Sequence, residues 1–513
     1  MALRHKIILF SVLITAHFAK AQYDFKTNFK PSERLGISKE KPVDSAYSIR
    51  SNTGHYPYTS SHEQYTPSHQ QYVNTPIPSP LHYPSDISFR FSNVGLQRIG
   101  RNFITSNRII SLSLDNNNIS DISPFAFRSM SNLRHLNLSG NRIPKKKLLS
   151  LNGNNNLQTL IINNNNDCDI PNNSNREEIL KESETFQSLE HLQLCNNQLG
   201  DIEVSFFISM PILTHLHLTN NSIGSSSAIF DNIPTTLTHL NLNKNLIDHV
   251  DQDKLRYLHE LVMDDNIITQ VCFEECQEKS IPLRGAIAMQ NLSLSRNQIL
   301  EVSPDAFNDM EHLLNLDLSG NKIADLASTT FNNTPWMINL SLANNIFGTI
   351  PNVCSILNLE RMNLTGNRIS AISPDAFCRL QRLKYLYLSN NMITTIETRA
   401  FNLPSLMYLD LSGNQLRQLP AQWTLPWHIE ELHLERNYFS DLDDLSLINI
   451  KSLKNVHLDG NPMLKLEMGS LHELSERMTL HLKNIFVDEA KYTQCLNEKD
   501  NEDNGNSDYD DNY

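Results

Sequence analysis

The chain has 513 residues, of which 39% are hydrophobic and 19% charged, so it is long enough to bury a large apolar core. Its formal net charge is −13, and the only dense basic run is "KKK" at residues 145–147. Because phosphate contacts require clustered lysine and arginine, this charge balance argues against a nucleic-acid partner.

The first 21 residues have the features of a secretory signal peptide. A basic cluster at residues 4–6 precedes the apolar run "IILFSVLITAHF", and the small residues of "AKA" at 19–21 suit cleavage after Ala21. The apolar run is too short for a membrane anchor, since a spanning helix needs about 20 apolar residues. We therefore predict that residues 1–21 are removed and that the mature protein is secreted, with no transmembrane segment.

Residues 22–85 are rich in tyrosine, serine, proline, histidine and glutamine, and poor in apolar aliphatic residues. Such a segment cannot bury enough apolar surface to offset the entropy lost on ordering, so we predict a disordered arm. Its recurring tyrosines leave a second interpretation open, which is a binding or cross-linking segment.

From Ile109 onward the pattern L-x-x-L-x-L-x-x-N-x-L recurs, mostly at intervals of 22 to 24 residues, and "LDLSGNKI" at 316–323 is one example. Repeats this regular predict one elongated solenoid rather than several globular domains. The ninth position is asparagine in all fifteen copies: Asn117, Asn141, Asn165, Asn197, Asn221, Asn245, Asn266, Asn297, Asn321, Asn345, Asn367, Asn391, Asn414, Asn437 and Asn461.

The repeat has a physical explanation. Leucines two positions apart point to the same side of a short strand, and the residue between them faces the other way. A single strand cannot bury its apolar face alone, so successive copies stack and their strands run parallel. Asparagine carries both a donor and an acceptor, so at the turn after each strand it can pair with buried backbone groups. We expect the asparagines to build the scaffold and to take no part in catalysis.

These repeats resemble the extracellular, 24-residue subclass of the leucine-rich repeat family, from about residue 86 to residue 487. The resemblance implies an α/β-type solenoid: a curved horseshoe of about 15 repeats with a parallel β-sheet on its concave face. The segments "ISPFAF", "VSPDAF" and "ISPDAF", which begin at residues 122, 302 and 372, should direct a phenylalanine inward along the outer side. Family members often close both ends with cysteine clusters, which this sequence lacks.

The pattern divides the chain further. "ISFRFSNVGLQRI" alternates as a strand does, so we predict an N-terminal cap at 86–108, followed by the repeats at 109–476. We predict a C-terminal cap at 477–495 and an acidic tail at 496–513. The tail ends in "DYDDNY", whose tyrosines lie among acids and so suit sulfation, although a purely solvating tail is the alternative.

The seven cysteines leave one unpaired. Cys354 and Cys378 each precede a repeat by five residues and occupy equivalent places on adjacent coils, which favours a disulfide. Cys272 and Cys276 lie in one inserted loop, "CFEEC", and are candidates for a local disulfide.

Cys168 and Cys195 lie in neighbouring repeats and form a further candidate pair. Cys495 then remains. We predict either an intermolecular disulfide, which would give a disulfide-linked dimer, or a capped or free thiol.

The solvent-facing strand positions predict a broad platform for a protein or glycan ligand. Tyrosines surrounded by mixed charges have the composition of protein-interface hot spots, although aromatic residues can also simply be tolerated on a wide surface. The candidate ligand-binding residues are Arg361, Tyr385, Tyr387, Tyr408, Asp410, Glu431 and His433.

His191, His215 and His239 occupy equivalent positions in three consecutive repeats, so they should form a ladder on strands about 4.8 Å apart. A ladder of this kind could bind metal or sense acid pH. The interpretation that we adopt is that these histidines are solvated filler. We predict no cofactor and no metal site, because the C-x-x-x-C spacing of Cys272 and Cys276 has no paired histidine.

Eight asparagines begin an N-x-S/T sequon and are candidate glycosylation sites: Asn118, Asn137, Asn172, Asn220, Asn291, Asn332, Asn339 and Asn363. Asn137, Asn291, Asn339 and Asn363 fall at positions of the concave face. Glycans at these positions would leave the tyrosine region bare.

The sequence contains no glycine-rich phosphate loop, no G-x-S-x-G nucleophile motif and no H-E-x-x-H pair, so we expect no enzyme. We expect a secreted recognition protein that binds a protein or glycan ligand on the concave face, in innate immunity or extracellular signalling. Secreted leucine-rich immune proteins of insects are loosely similar. The alternative is a structural protein of the extracellular matrix or of cell adhesion, similar to small leucine-rich proteoglycans.

Overall fold

The computed structural model describes most of the predicted repeat region. The signal peptide, the arm, the acidic tail, Cys168, Cys495 and Asn172 lie outside the described residues. The described residues are 87–149, 151, 155–165, 186–200, 209–225, 228–231, 233–274, 276, 278–378, 380–424, 428–448, 450–463, 465–466, 471, 474, 477–483 and 486–487.

A 17-stranded parallel sheet runs through the described residues, and each strand pairs with the next one along the chain. The fold is a parallel β-solenoid, as the repeat predicts, although the described residues contain almost no helix, which the α/β-type expectation did not anticipate. The strands are Ile87–Arg90, Ile109–Ser113, His135–Asn137, Thr159–Ile161, His191–Gln193, His215–His217, His239–Asn241, Glu260–Val262, Asn291–Ser293, Asn315–Asp317, Asn339–Ser341, Arg361–Asn363, Tyr385–Tyr387, Tyr408–Asp410, Glu431–His433, Asn455–His457 and Thr479–His481.

The register of this sheet brings equivalent positions of neighbouring repeats side by side. Leu316 pairs with Leu340, and both are buried between the two sides of the coil. The residues before and after each of these leucines point to the opposite side of the sheet. We call that opposite side, formed by the first and third residues of the three-residue strands, the sheet face.

Shorter elements lie elsewhere in the described coils. The additional strands are Arg98–Ile99 with Asp121–Ile122, Gln270–Cys272 with both Ser280–Pro282 and Glu301–Val302, Ala371–Ile372 with Thr395–Ile396, and Lys465–Leu466 with Phe486–Val487. The 3-10 helices are Lys145–Lys147, Ala228–Phe230 and Asp443–Leu445. Within the described ranges, no helix is long and apolar enough to span a bilayer.

The repeated asparagines connect successive coils, as predicted. The side-chain amide of Asn345 donates to the carbonyl oxygen of Leu342 in its own coil at 3.1 Å and to that of Leu318 in the preceding coil at 2.9 Å. Its side-chain oxygen accepts the backbone N–H of Ile323 at 3.0 Å. One buried side chain therefore satisfies three backbone groups that the turn would otherwise leave unpaired.

The residue before each repeated asparagine adopts a left-handed backbone conformation, which the sequence analysis did not predict. Asn344 has a φ of 53° and Gly320 a φ of 68° at this position. Glycine and asparagine tolerate positive φ, which explains the recurring "GN" and "NN" pairs. Four repeats place a charged residue there: Lys244, Asp265, Arg296 and Arg436.

The outer side of the solenoid is lined by buried aromatic rings. Phe127, Phe307 and Phe377 are buried, as the three related segments predict. The ring of Phe377 stacks on that of Phe401 with centroids 5.8 Å apart, and Trp423 continues the row edge-on at 5.9 Å. These wide side chains fill the side of the coil opposite the compact leucine strands.

The insertion between residues 272 and 285 forms strand rather than only loop. Gln270–Cys272 pairs with Ser280–Pro282, which adds a strand on the outer side, while Glu260–Val262 pairs directly with Asn291–Ser293 in the main sheet. A disulfide joins Cys272 and Cys276, whose Cα atoms are 5.9 Å apart. The insertion therefore leaves the sheet face continuous.

A second disulfide connects two adjacent coils. Cys354 and Cys378 are bonded with Cα atoms 5.1 Å apart, which follows from their equivalent positions. Cys195, in contrast, carries a free thiol, so its predicted pairing with Cys168 is wrong. Cys195 lies two residues after the strand His191–Gln193, and burial raises the pKa of its thiol.

Additional strands extend both ends of the repeat region. Ile87–Arg90 pairs with Ile109–Ser113 at the N-terminal end, and Thr479–His481 pairs with Asn455–His457 at the C-terminal end. Leu480 is buried and continues the row of inward-pointing residues. The proposed caps therefore contribute to the main sheet.

Candidate ligand-binding face and histidine ladders

Three of the predicted binding residues form an aromatic layer on the sheet face. The rings of Tyr387 and Tyr408 lie 5.1 Å apart, and those of Tyr385 and Tyr408 lie 6.4 Å apart. The guanidinium carbon of Arg361 lies 4.6 Å from the centre of the Tyr385 ring, within the range of a cation–π contact. We call these four residues the tyrosine cluster.

The tyrosines are half-buried rather than freely exposed, which corrects the sequence interpretation. They lie on adjacent parallel strands, so each ring covers part of the next. Burial raises the pKa of Tyr387 to about 12 and also raises the pKa of Tyr408. Both hydroxyls are therefore protonated at neutral pH, and the cluster presents flat rings with uncharged polar edges.

A charged group adjoins the tyrosine cluster on the next strand. The ring of Tyr408 lies 5.1 Å from that of His433, and Asp410 pairs with His433 in the strand register. Nε2 of His433 is 3.2 Å from a carboxylate oxygen of Glu431, and Nδ1 is 3.0 Å from one of Glu435. The structure thus brings the predicted binding residues together.

These two carboxylates determine the charge of the histidine. Burial alone would lower the pKa of His433, but the hydrogen bonds that its ring nitrogens donate to Glu431 and Glu435 raise it to about 10. The hydrogen bond with His433 in turn lowers the pKa of the Glu431 carboxyl. In the absence of any other cation, the group is an imidazolium between two carboxylates at neutral pH.

His433 is also the first ring of a histidine ladder that the sequence analysis missed. The rings of His433 and His457 stack 4.1 Å apart, and those of His457 and His481 stack 4.2 Å apart. We call these three residues the C-terminal histidine ladder. The 24-residue spacing of the histidines, at the fifth position of each coil, was the signal that could have revealed it.

The predicted ladder of His191, His215 and His239, the N-terminal histidine ladder, is present. The rings of His191 and His215 lie 4.2 Å apart with a tilt of 34°, and those of His215 and His239 stack 4.1 Å apart. The hydroxyl of Thr214 donates to the carbonyl oxygen of Glu190 at 2.9 Å, so it can only accept from Nδ1 of His215, 2.8 Å away. This contact orients the ring with Nδ1 as its N–H donor.

The N-terminal histidine ladder is half-buried rather than freely solvated. Burial is the largest cause lowering the pKa of His215 to about 3, and the neighbouring histidines lower it further. The same causes lower the pKa of His239 to about 4. Burial also lowers the pKa of His191 below its ordinary value, although the nearby Glu190 opposes this shift. These rings are neutral at neutral pH, unlike His433.

The described sequon asparagines fall into two groups. Asn118, Asn220 and Asn332 are exposed, whereas Asn137, Asn291, Asn339 and Asn363 are half-buried on strands of the sheet face. The amide of Asn339 donates to Asn315, and the amide of Asn315 donates to the side-chain oxygen of Asn291 at 2.5 Å. Glycosylation would leave one hydrogen on the side-chain nitrogen of Asn339. That hydrogen would have to keep donating to Asn315.

Comparison with known proteins identifies the repeats. The family model for the leucine rich repeat matches residues 107–166, 187–234, 287–354 and 357–423. Podocan of Mus musculus is 35% identical over 134 residues, which is 25% of this chain and 21% of podocan. Lumican of Mus musculus is 34% identical over 114 residues, 21% of this chain and 33% of lumican. The matches therefore cover a third or less of these relatives' own length.

A solved structure shares the architecture. The glycosylated Toll–Spatzle complex, a hub in Drosophila development and innate immunity, contains a chain that matches with a TM-score of 0.60 at 20% identity. The match covers 79% of the present chain and 55% of that chain. At this identity the likeness shows the shared fold.

Proposed function

Because this chain belongs to the leucine-rich repeat family, we propose that it is a secreted, non-enzymatic recognition protein. Its ligand is a protein or a glycan, and it docks on the sheet face. The tyrosine cluster, together with Asp410, Glu431 and His433, forms the centre of this docking surface. The role would lie in innate immunity or in extracellular signalling.

The stacked tyrosines carry this proposal. Aromatic and arginine side chains dominate interface hot spots because they bury much area at a small entropic cost. Here three tyrosine rings and Arg361 are already held against one another, so little side-chain freedom remains to be lost on binding. The adjoining carboxylates and His433 supply charges that would orient a polar partner.

The comparisons support a protein partner. Toll has been solved in complex with Spatzle, so a chain of this architecture does form a complex with a protein. We propose by analogy that the partner of the present chain is also an extracellular protein.

A pull-down tests the docking surface. The mature chain carrying Tyr385→Ala and Tyr408→Ala is compared with the unaltered chain for partners recovered from body fluid. Each hot-spot truncation costs about 2 kcal/mol or more, so we expect affinity to fall by about 100-fold or more. The control replaces Tyr257 and Tyr438, which are exposed at 46% and 52% and lie outside the cluster. Unchanged binding by the cluster variant would exclude the tyrosine cluster as the docking surface.

A second candidate function is a structural role in the extracellular matrix. The segments shared with podocan and lumican favour it, because they relate the chain to small leucine-rich proteoglycans. Fractionation of the source tissue separates the two candidates. A matrix component stays in the insoluble pellet, whereas a circulating recognition protein is recovered from the fluid.

A further inference from the structure

We propose that Glu431, His433 and His457 bind one Zn²⁺ ion on the sheet face, and that Glu435 positions His433 for this purpose. Within the described residues, these three side chains can each offer one ligand atom, all within 4.8 Å of one another. The proposal goes against the sequence-based expectation of no metal site. It stands independently of whether the tyrosine cluster binds a partner.

The distances among the ligand atoms suit a tetrahedral ion. Glu431 Oε1 lies 3.2 Å from Nε2 of His433 and 3.6 Å from Nε2 of His457. Zinc ligands at about 2.0–2.2 Å in tetrahedral geometry are about 3.3–3.6 Å from one another. One observed separation lies just below this range and the other at its upper end, so small side-chain movements would bring the atoms to coordination distance.

His433 already has the orientation of a zinc ligand. Its Nδ1 is held by Glu435 at 3.0 Å, which leaves Nε2 directed toward Glu431. Ligating histidines usually donate their other ring N–H to a carboxylate in this manner, which fixes the tautomer and makes the ligating nitrogen more basic. Zinc would take the place of the proton that otherwise lies between Nε2 and Glu431.

His457 supplies an independent observation. Its Nε2 is a buried atom with no hydrogen-bond partner, and the nearest carboxylate oxygen of Glu431 is beyond hydrogen-bond distance at 3.6 Å. A buried polar nitrogen without a partner is costly, and a bound cation would satisfy it. The adjacent His481 differs, because its Nε2 lies 3.4 Å from the side-chain oxygen of Asn455.

The donor set specifies the class of metal. Two imidazoles and one carboxylate form a combination that zinc accepts with a fourth position left open. The rings of His433 and His457 are nearly parallel, at 3°, so both must tilt for their Nε2 lone pairs to converge. The open position would then face outward from the sheet, beside the ring of Tyr408, where a donor atom of water or of a partner can bind.

Calorimetric titration of the full mature chain with Zn²⁺ tests the site, and the same titration follows for His433→Gln, His457→Gln and Glu435→Gln. We expect the unaltered chain to bind Zn²⁺ at this site, and each ligand variant to lose that binding by 100-fold or more. Loss of the orienting carboxylate should weaken it by about 10- to 100-fold. The matched control is His481→Gln, a ring of the same ladder that is not a ligand, and it should bind as the unaltered chain does.

Two further measurements keep the test independent of folding and of other histidines. Saturating Zn²⁺ should raise the thermal unfolding temperature of the unaltered chain and of His481→Gln, but not that of His457→Gln. Co²⁺ in place of Zn²⁺ should show the visible absorption of a tetrahedral ion only when both His433 and His457 are present. Absence of zinc binding by the unaltered chain, or binding that survives in the His433→Gln/His457→Gln double variant, would overturn the proposal.

Discussion

The repeated asparagine shows how one side chain can connect two coils. At the turn after each strand, the backbone bends away from the sheet and leaves its polar groups inside. The amide of Asn345 satisfies one carbonyl group of its own coil, together with one carbonyl group and one N–H of the preceding coil. Glutamine offers the same donors and acceptor only on a longer side chain. Asparagine therefore recurs at this position.

Replacement of Asn345 by alanine should therefore destabilise the protein. The backbone groups of Leu318, Leu342 and Ile323 would lose their partner in a buried site, at about 1–3 kcal/mol for each group left unsatisfied. We expect the free energy of unfolding in urea to fall by about 3 kcal/mol. The exposed Asn308→Ala serves as the control and should change it by less than about 1 kcal/mol.

The position before the asparagine permits a stabilising change. Lys244 is exposed and has a φ of 54°, a conformation that costs a residue with a Cβ about 1–2 kcal/mol. Glycine loses more chain entropy on folding, so Lys244→Gly should raise the unfolding free energy by a net value of about 0.5–1 kcal/mol.

Lys322→Gly provides the matched comparison for this variant. Lys322 is also exposed, but it does not have a positive φ, so the same substitution there should lower stability. Equal effects of the two substitutions in denaturant unfolding would refute the backbone explanation.

At the scale of the element, the histidine ladders show that rings stacked at similar distances can differ in charge: the pKa of His433 is raised, whereas the pKa values of the N-terminal histidine ladder and of His481 are lowered. The N-terminal histidine ladder lies against threonine hydroxyls and other histidines, and burial lowers its pKa values. His433 is just as closely stacked, but carboxylates contact both of its nitrogens and raise its pKa. The neighbours on the same coil therefore decide the protonation, since the strand geometry is shared.

The N-terminal histidine ladder should make the fold sensitive to acid. Histidines of the unfolded chain titrate near pH 6.5, whereas His215 and His239 take up protons only near pH 3 and 4 in the folded chain. Between these values the unfolded chain binds more protons, so stability falls as the pH falls from about 6.5 toward 4. The other groups in this environment are His191, His217, His259 and Glu190.

Urea unfolding at about pH 7 and about pH 4.5 measures this dependence. The His215→Gln/His239→Gln variant should lose less stability between these conditions than the unaltered chain. His312→Gln/His428→Gln, which alters two exposed histidines, should show the unaltered slope. An identical loss of stability in the ladder variant would disprove the assignment.

At the scale of the whole molecule, the first and last coils of a solenoid each lack a neighbouring coil on one side. Ile87–Arg90 and Thr479–His481 occupy the ends of the described sheet. Cys495, for which the sequence predicts an intermolecular disulfide, lies outside the described residues. The disulfide-linked dimer therefore stays a prediction.

Electrophoresis without and with reductant tests the dimer. We expect a dimer band that reductant removes and that Cys495→Ser abolishes. Cys195→Ser should keep the dimer, because that free thiol is half-buried within the repeat region. A chain that migrates as a monomer with or without reductant would contradict the prediction.

The sequence alone determined the architecture. Leucine spacing dictates which side of each strand is buried, and the invariant asparagine requires a turn with buried backbone groups; both are local rules that every coil repeats. For the same reason the ladder of His191, His215 and His239 and the disulfide of Cys354 and Cys378 followed from position in the repeat. Stacking in register converts equal sequence position into contact.

Only the tertiary structure decided what the side chains of the sheet face do. The burial of the tyrosines, the raised pKa of His433 beside the lowered pKa values of the N-terminal histidine ladder, and the meeting of Glu431, His433 and His457 depend on distances across several coils. The extra strand in the 272–285 insertion and the free thiol of Cys195 depend on how irregular segments pack against regular ones. Periodicity specifies which residues become neighbours, but rotamers, burial and the charge of each neighbour specify their chemistry.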